Sequence, residues 1–251
     1  GVDCARFLQY TESRPQTYAD WIRVWEQRTD GKEDVLRSPV LNDEFRAAAR
    51  AGLIPSDAEL RDKGVSIGGT WSSLSPETGE ATNLNLVYMK GVDGTSVQDL
   101  TAAEMEGRAQ ALNAVVALRA TVPGFERCKL RNFGMTLGVR DTRKIVGKYG
   151  LTAPDVHGQA RFADSVGIFP EFIDGYSVVI LPSSGRYFHV PLGCLVPVDV
   201  EHLLVGGRCV AGDAISHAAM RNMMACCVTG QGAGVAAAVS ARLGQPVHSV
   251  D

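Results

Sequence analysis

From about Met223 to Leu243 the chain carries a run of mostly small and apolar residues, with Gly230, Gly232 and Gly234 spaced two apart and Ala236, Ala237 and Ala238 after them. Free of proline, such a run reads as a helix whose surface is nearly bare backbone. Another element can cross it at close range, at some cost in helix propensity. Upstream, Leu203-Leu204-Val205 has the signature of a short buried strand ending on Gly206-Gly207-Arg208, and a loop from Cys209 to Asn222 joins strand to helix. The glycine cluster invites comparison with a dinucleotide fingerprint. That fingerprint must follow a strand directly and open a βαβ unit of about 30 residues. Too little chain follows Gly230, and the acid nearest the required offset is the terminal Asp251. The glycines are therefore read as packing surface behind the loop from Gly206 to Asn222. A loop at a strand's carboxyl end is where open α/β sheets bind ligands, and the unpaired amides that open the helix offer partial positive charge.

The rest of the composition is that of a globular chain long enough to bury a core: 251 residues, 45% hydrophobic and 21% charged. A formal net charge of -3 and a pI near 6.0 supply no positive field for a nucleic-acid backbone. Purely apolar stretches such as Val235 to Val239 fall short of the roughly 18 to 20 residues that span a bilayer. No basic-then-apolar leader opens the chain. The expectation is a soluble, cytoplasmic protein with no nucleic-acid or membrane partner. Cys4, Cys128, Cys194, Cys209, Cys226 and Cys227 are scattered without zinc-like spacing, so buried free thiols are expected and no metal. The chain opens on Gly1-Val2-Asp3 and its first methionine is Met89. It reads as a product with its initiator removed, a recombinant piece, or a fragment released from something longer.

Apolar spacing predicts helices over Tyr18 to Arg28 (Trp21, Val24, Trp25) and Asp43 to Leu53 (Phe45, Ala48, Ala49, Leu53). Val65 to Met89 reads as a hairpin around Ser75-Pro76-Glu77-Thr78-Gly79-Glu80. A long helix is expected to open on a capping box at Thr101-Ala102-Ala103-Glu104 and to stop before Pro123-Gly124, with Leu112, Val115, Val116 and Leu118 on its apolar face. Tyr176 to Leu181 and Arg186 to Val190 read as a second hairpin joined by Ser183-Ser184-Gly185. The fold class is α/β with an α+β substrate region. The expected division is residues 1–190 as a substrate-side domain of helices and mixed or antiparallel sheet, and 191–251 as the C-terminal strand, loop and helix.

Read in order, several blocks carry a resemblance: Leu137-Gly138-Val139-Arg140-Asp141-Thr142-Arg143-Lys144-Ile145-Val146-Gly147, then His189-Val190-Pro191-Leu192 through Pro197, then His202-Leu203-Leu204-Val205-Gly206-Gly207-Arg208-Cys209, then Met220-Arg221-Asn222-Met223, and Thr229 through Ala237. Together they resemble the FAD-dependent oxidoreductase family with a glutathione-reductase-type FAD domain, C-terminal portion only. The resemblance implies FAD as cofactor, bound between an N-terminal βαβ unit and this C-terminal strand and helix, with a β-sheet substrate domain between. No strand-linked Gly-x-Gly-x-x-Gly stands at the start of this chain. The implied partner is a second polypeptide carrying that glycine-rich unit, either separately encoded or a product of proteolytic processing, in a heteromer open to higher oligomers. The carry-over places Gly206, Gly207 and Arg208 near ribityl and phosphates, and the backbone of Met220, Arg221, Asn222 and Met223 near the flavin ring. Asp213 lies a few residues beyond the place where related flavoproteins carry a ribityl-binding acid, a place held here by Arg208.

Candidate catalytic side chains are Arg140, which with Arg143 could face flavin or an anionic substrate, and His189, His217 and Tyr187, which could exchange protons. Each also has a purely structural reading, and the vicinal Cys226-Cys227 is read as packing. The expected function is a subunit or cleaved chain of an FAD-dependent oxidoreductase, oxidase or dehydrogenase, removing a hydride from a small organic substrate. The alternative is a non-catalytic scaffold or binding subunit that keeps the flavoprotein fold. A nicotinamide enzyme is disfavoured by the absent fingerprint.

Overall fold

A computed structural model of the chain describes residues 1–13, 26–28, 41–70, 73–82, 84–175 and 178–250, with backbone only at 26–28, 70 and 178. In chain order the elements are α1 (Cys4–Ser13), β1 (Glu26–Arg28), α2 (Asn42–Arg50), α3 (Asp57–Asp62), β2 (Val65–Thr70), β3 (Ser73–Ser75), β4 (Glu80–Thr82), β5 (Asn85–Met89) and α4 (Val97–Thr121). There follow α5 (Ala153–His157), β6 (Ser165–Pro170), β7 (Ile173–Gly175), β8 (Val178–Ile180), β9 (Tyr187–Pro191), α6 (Ala214–Met220) and α7 (Met223–Leu243). The chain divides into two compact units, residues 1–21 with 33–139, and 22–32 with 140–251. The boundary expected at 190/191 therefore falls inside the second unit, immediately before the last residue of β9.

In the first unit α2 and α4 cover the antiparallel pair β2–β5, and their shared core gathers Phe7, Leu41, Phe45, Leu86, Leu118 and Phe125. The Phe7 and Phe125 rings meet edge to face with centroids 5.0 Å apart. The expected hairpin forms twice over: β2 pairs with β5, and β3–β4 closes around residues 76–79. Trp71 and Asn83 lie outside the described residues. The β2–β5 register slips between Ile67 and Thr70. Gly68 and Gly69 sit there at φ +144 and +132, and a Cβ on Gly69 would strike the carbonyl of Asn85.

The long helix starts four residues earlier than its expected cap. Ser96 accepts from Asp99 N–H and forms the N-cap, whereas the Thr101 hydroxyl bonds back to Val97 O and Glu104 accepts from Leu137 N–H and Arg108. Its inner face also differs from expectation. Ala103, Gln110, Ala114, Ala117 and Leu118 are buried, while Leu112 and Val116 are exposed. Positions 112 and 116 lie on the side of the helix away from 110, 114 and 117, and alanines there let α2 approach closely.

The second unit holds small sheets under helices. β8 lies between β1, to which it is parallel, and β7, to which it is antiparallel, and β6 pairs antiparallel with β9. Glu26–Arg28 is thus strand where the end of a helix was expected, because a tertiary ladder supplies its hydrogen bonds. The rest of that expected helix, Trp21, Val24 and Trp25 included, lies outside the described residues, as does Tyr176. The runs around β8 and β9 do form strands, but they do not pair with each other as expected. β8 pairs with its neighbour β7, β9 reaches back to the more distant β6, and the segment 181–186 crosses from one pair to the other.

A buried carboxylate pins that crossing. Glu171, 1% exposed, accepts from Arg186 Nε and lies 2.9 Å from His157 Nδ1, while Arg186 Nη2 donates to His157 O at 3.0 Å. The stretch 203–206 is extended but not a strand. Val205 N–H bonds to Leu195 O, and no ladder continues beyond it among the described residues. Helix α7 spans the expected residues and buries Ala225, Thr229, Gly232, Ala236 and Ser240 at helical spacing. By length and composition it also meets the requirement for a membrane span, which the sequence had not suggested. Packing on β6 and on the turn at 207–209 accounts for the stripe that is buried.

Replacing Glu171 with Ala leaves a guanidinium and an imidazole without their shared anion, so urea unfolding should show a loss of about 3 kcal/mol. The exposed pair Arg6–Glu126 at 3.1 Å is the control, and Arg6→Ala, which leaves the Glu126 bond to Gly124 N–H in place, should cost under about 0.5 kcal/mol. Equal costs would remove the structural role given to Glu171.

Candidate functional site

Three of the residues singled out from the sequence, Arg140, His217 and Arg221, come together in the second unit. Helix α6 places His217 and Arg221 one turn apart, with Arg221 as its C-cap. Arg221 turns back to donate from Nη2 to Asp174 O, and that same nitrogen lies 3.3 Å from Asp174 Oδ2. Arg140 Nη2 reaches the same Oδ2 at 3.2 Å. Two guanidinium groups thus share one carboxylate. Burial and the charge of Arg140 both pull the pKa of Arg221 down. Beside them Lys144 donates to Asp141. The named side chains carry three cations against two anions, and Arg140 and Asp174 are half open to solvent.

His217 is 3% exposed. Its Nε2 lies 3.0 Å from Arg140 O and 3.4 Å from Asp141 Oδ1, both acceptors, so the proton of the neutral ring belongs on Nε2. Nδ1 is then a buried acceptor with no partner among the described residues. Burial holds the His217 pKa below its ordinary value of 6.5. The ring ties the Arg140–Asp141 backbone to α6, so it positions the arginine pair.

The glycine loop lies on α7. Gly207 N–H donates to Thr229 Oγ1 at 2.8 Å, and a Cβ on Gly206 would come within 3.2 Å of Gly230 N and Cα. Gly206 and Arg208 are exposed and Gly207 is half-buried at φ +72. Asp213 is the N-cap of α6. Its Oδ1 accepts from Ser216 N–H at 2.8 Å and its Oδ2 from Ala153 N–H at 2.6 Å. Met220 is in the core. Asn222 is the N-cap residue of α7, yet its side chain does not cap that helix: Nδ2 donates to Ala218 O and Ala219 O, closing α6 instead. The first turn of α7 carries no acid, and Met223, at its start, is 85% exposed.

His189 and Tyr187 project from the outer side of β9, half-buried, with their rings stacked at 6.2 Å. Arg161 covers the Tyr187 ring at 4.0 Å, and His189 Nδ1 lies 3.3 Å from Phe162 N. Arg143 is exposed, with no carboxylate partner among the described residues. Asp174 and Arg161 were not foreseen. Asp174 sits in a three-residue strand without periodicity, and Arg161 in the irregular segment before β6, so neither gave a sequence signal. Cys226 and Cys227 are free thiols, and no cluster of metal ligands occurs among the described residues.

A mixed helix and small-sheet architecture with an uncapped helix end behind a glycine loop is consistent with an α/β flavoprotein-type domain. The family comparison agrees. Residues 9–251 match the family described as FAD dependent oxidoreductase, and the chain belongs to it. No curated protein and no solved structure gave a match. The uncapped start of α7, with Gly206 and Arg208 exposed in the loop before it, fits the chemistry of an electron-rich group such as FAD. Gly230, Gly232 and Gly234 do not cradle phosphate, because their amides lie inside α7 and are used by the helix itself.

The lowered His217 pKa gives a signed expectation. The folded state holds this ring neutral, so the unfolded chain binds the extra proton as pH drops below 6.5, and stability falls with it. His217→Gln keeps a donor toward Arg140 O but cannot titrate. Its urea midpoint should lie below wild type near pH 7.5, and the gap should narrow near pH 5.5. A gap constant across that range would remove the buried neutral imidazole.

Proposed function

We propose that the second unit forms the flavin-facing half of a glutathione-reductase-type FAD site. The observation that carries this reading is the open first turn of α7. The first turn of α7, where Met223 and Met224 are exposed and Ala225 is buried, has no side-chain cap and no acid, and such a helix end favours negative charge that approaches it. Gly206, Gly207 and Arg208 would lie along ribityl and phosphate. Bound FAD would supply the acceptor for a hydride leaving a C–H of a small organic substrate. Arg140, steadied by His217 and Asp174, would hold an anionic group of that substrate. His189, half open beside Tyr187, is the side chain positioned to hold or pass a proton. Asp213 acts by fixing the loop, since both its oxygens are occupied.

The site would be completed by a second polypeptide bearing the glycine-rich adenine-binding unit. Support comes from the outer face of α7. A Cβ at Gly230 or Gly234 would meet no atom within 4 Å, and Cys227, Val235, Ala237 and Ala238 are exposed with them. This is a face that another backbone can approach closely.

Met224→Glu puts a carboxylate at the second position of α7, which the helix itself tolerates or prefers. Chain stability should hold while retained flavin absorbance, in the protein with whatever copurifies, falls at least about tenfold. Gly234→Leu should likewise leave the chain folded, raising helix propensity by about 0.8 kcal/mol, and release the second polypeptide seen by intact mass after denaturation. Wild-type material that is colourless and stable alone would sink the flavin reading and favour a scaffold. Reduction by NADH would instead revive the nicotinamide alternative.

A further inference from the structure

The first unit contains an open cavity of about 890 Å³ that the flavin reading does not use. Its floor is apolar and buried: Leu86, Ala114, Leu118, Phe125 and Cys128. Ala111 and Val115 of α4 form one wall, and it is their small size that leaves the space open. Protein interiors close voids of this size, and its volume lies within the usual range of small-molecule sites, roughly 300 to 1,000 Å³. Charge is confined to the lip, where Glu80 pairs with Arg131, and Lys129 has no carboxylate partner among the described residues. The lip side chains therefore leave one positive charge over an apolar interior, with the amide of Asn132 beside it.

We propose that this cavity binds a small carboxylate with an apolar body, the aliphatic or aryl part lying on Leu86, Leu118 and Phe125 and the anionic end meeting Lys129 and Arg131. Burial of the body supplies the driving force, and the lip cations select an acid over a neutral molecule of the same shape. The site lies wholly within residues 1–134 and does not depend on whether the second unit holds flavin.

The test is binding of a dansyl-labelled undecanoic acid to the full chain, followed by fluorescence. Binding should saturate at about one probe per chain. Decanoate should displace it at concentrations about tenfold below those needed by decanol. Ala111→Phe, at the half-buried wall, should abolish binding without lowering the melting temperature, and Lys129→Ala, on the surface, should weaken it about tenfold. Absence of saturable binding, equal displacement by decanol, or unchanged affinity in both variants would overturn the proposal. Flavin content measured on the same samples keeps the two readings apart, since either can fail while the other holds.

Discussion

Gly206 lies directly on the backbone of α7, within 3.2 Å of Gly230 for any added Cβ, and the neighbouring Gly207 amide is tied to Thr229. Much of the second unit follows from that crossing. With the loop held flat against the helix, residues 207–213 are led to α6, and α6 must end within the few residues that precede Met223. On its other side α7 seats Gly232 against Val166 of β6, where a Cβ would come within 2.8 Å. The helix is thus fixed from loop and sheet at Gly206 and Gly232, where a Cβ would clash, and Gly232 carries a helix-propensity cost of about 1 kcal/mol. That cost is offset by the packing it allows, and the side chains at Ala225, Thr229, Ala236 and Ser240 complete the buried stripe.

Electrostatics organise the other end of α6. Asp174 alone could not hold two arginines indifferently, because its Oδ2 must serve Arg140 and Arg221 together, each within 3.3 Å. Such sharing leaves most guanidinium N–H groups unspent. Glu171, by contrast, is nearly sealed from solvent and is matched to Arg186 and His157, which leaves it no surplus. The same residue types serve two ends here, and exposure separates them. A buried, saturated pair carries fold, and a half-open pair with surplus donors can receive a ligand.

The sequence made α7 legible to the residue, since small-residue periodicity and a clear glycine stop at Gly244 agree with each other. It also revealed the β2–β5 and β3–β4 turns, where Pro76 and Gly79 punctuate strongly. It misled where local choices were degenerate. Ser96-x-x-Asp99 and Thr101-x-x-Glu104 are both plausible caps, and tertiary contacts drew Glu104 to Leu137 and Arg108. Leu112 and Val116 have the side chains of core residues, but helical phase puts them on the outer side of α4 while alanines hold the inner face. Strand partners were unreadable for β8 and β9, because short apolar runs specify that they pair but not with whom. At the candidate site, Arg140, His217 and Arg221 were readable one by one. Asp174, which joins the two arginines, lies far from them in sequence and has no pattern.

Two polar residues of the glycine loop, Asp213 and Asn222, look from sequence like ligands for a bound group, and both are committed to the protein. Asp213 caps α6 and anchors Ala153, and Asn222 closes α6 by covering its last carbonyls. The consequence falls on α7. Its N-cap position is held by a residue whose side chain faces the other way, so the first-turn amides stay uncovered. A capping oxygen there would be worth about 1 kcal/mol. Serine or aspartate at position 222 would restore it, and acids at 223 and 224 would add favourable charge. Instead the positions hold Met223 and Met224, both exposed, which neither cap nor repel. A helix end left uncapped at a stability cost, behind a loop whose Asp213 and Asn222 are committed to α6, is better suited to receiving an outside anionic or electron-rich group than to stabilising the chain. Under the flavin reading, backbone would form much of that surface, and Asp213 and Asn222 would set its shape without touching the cofactor.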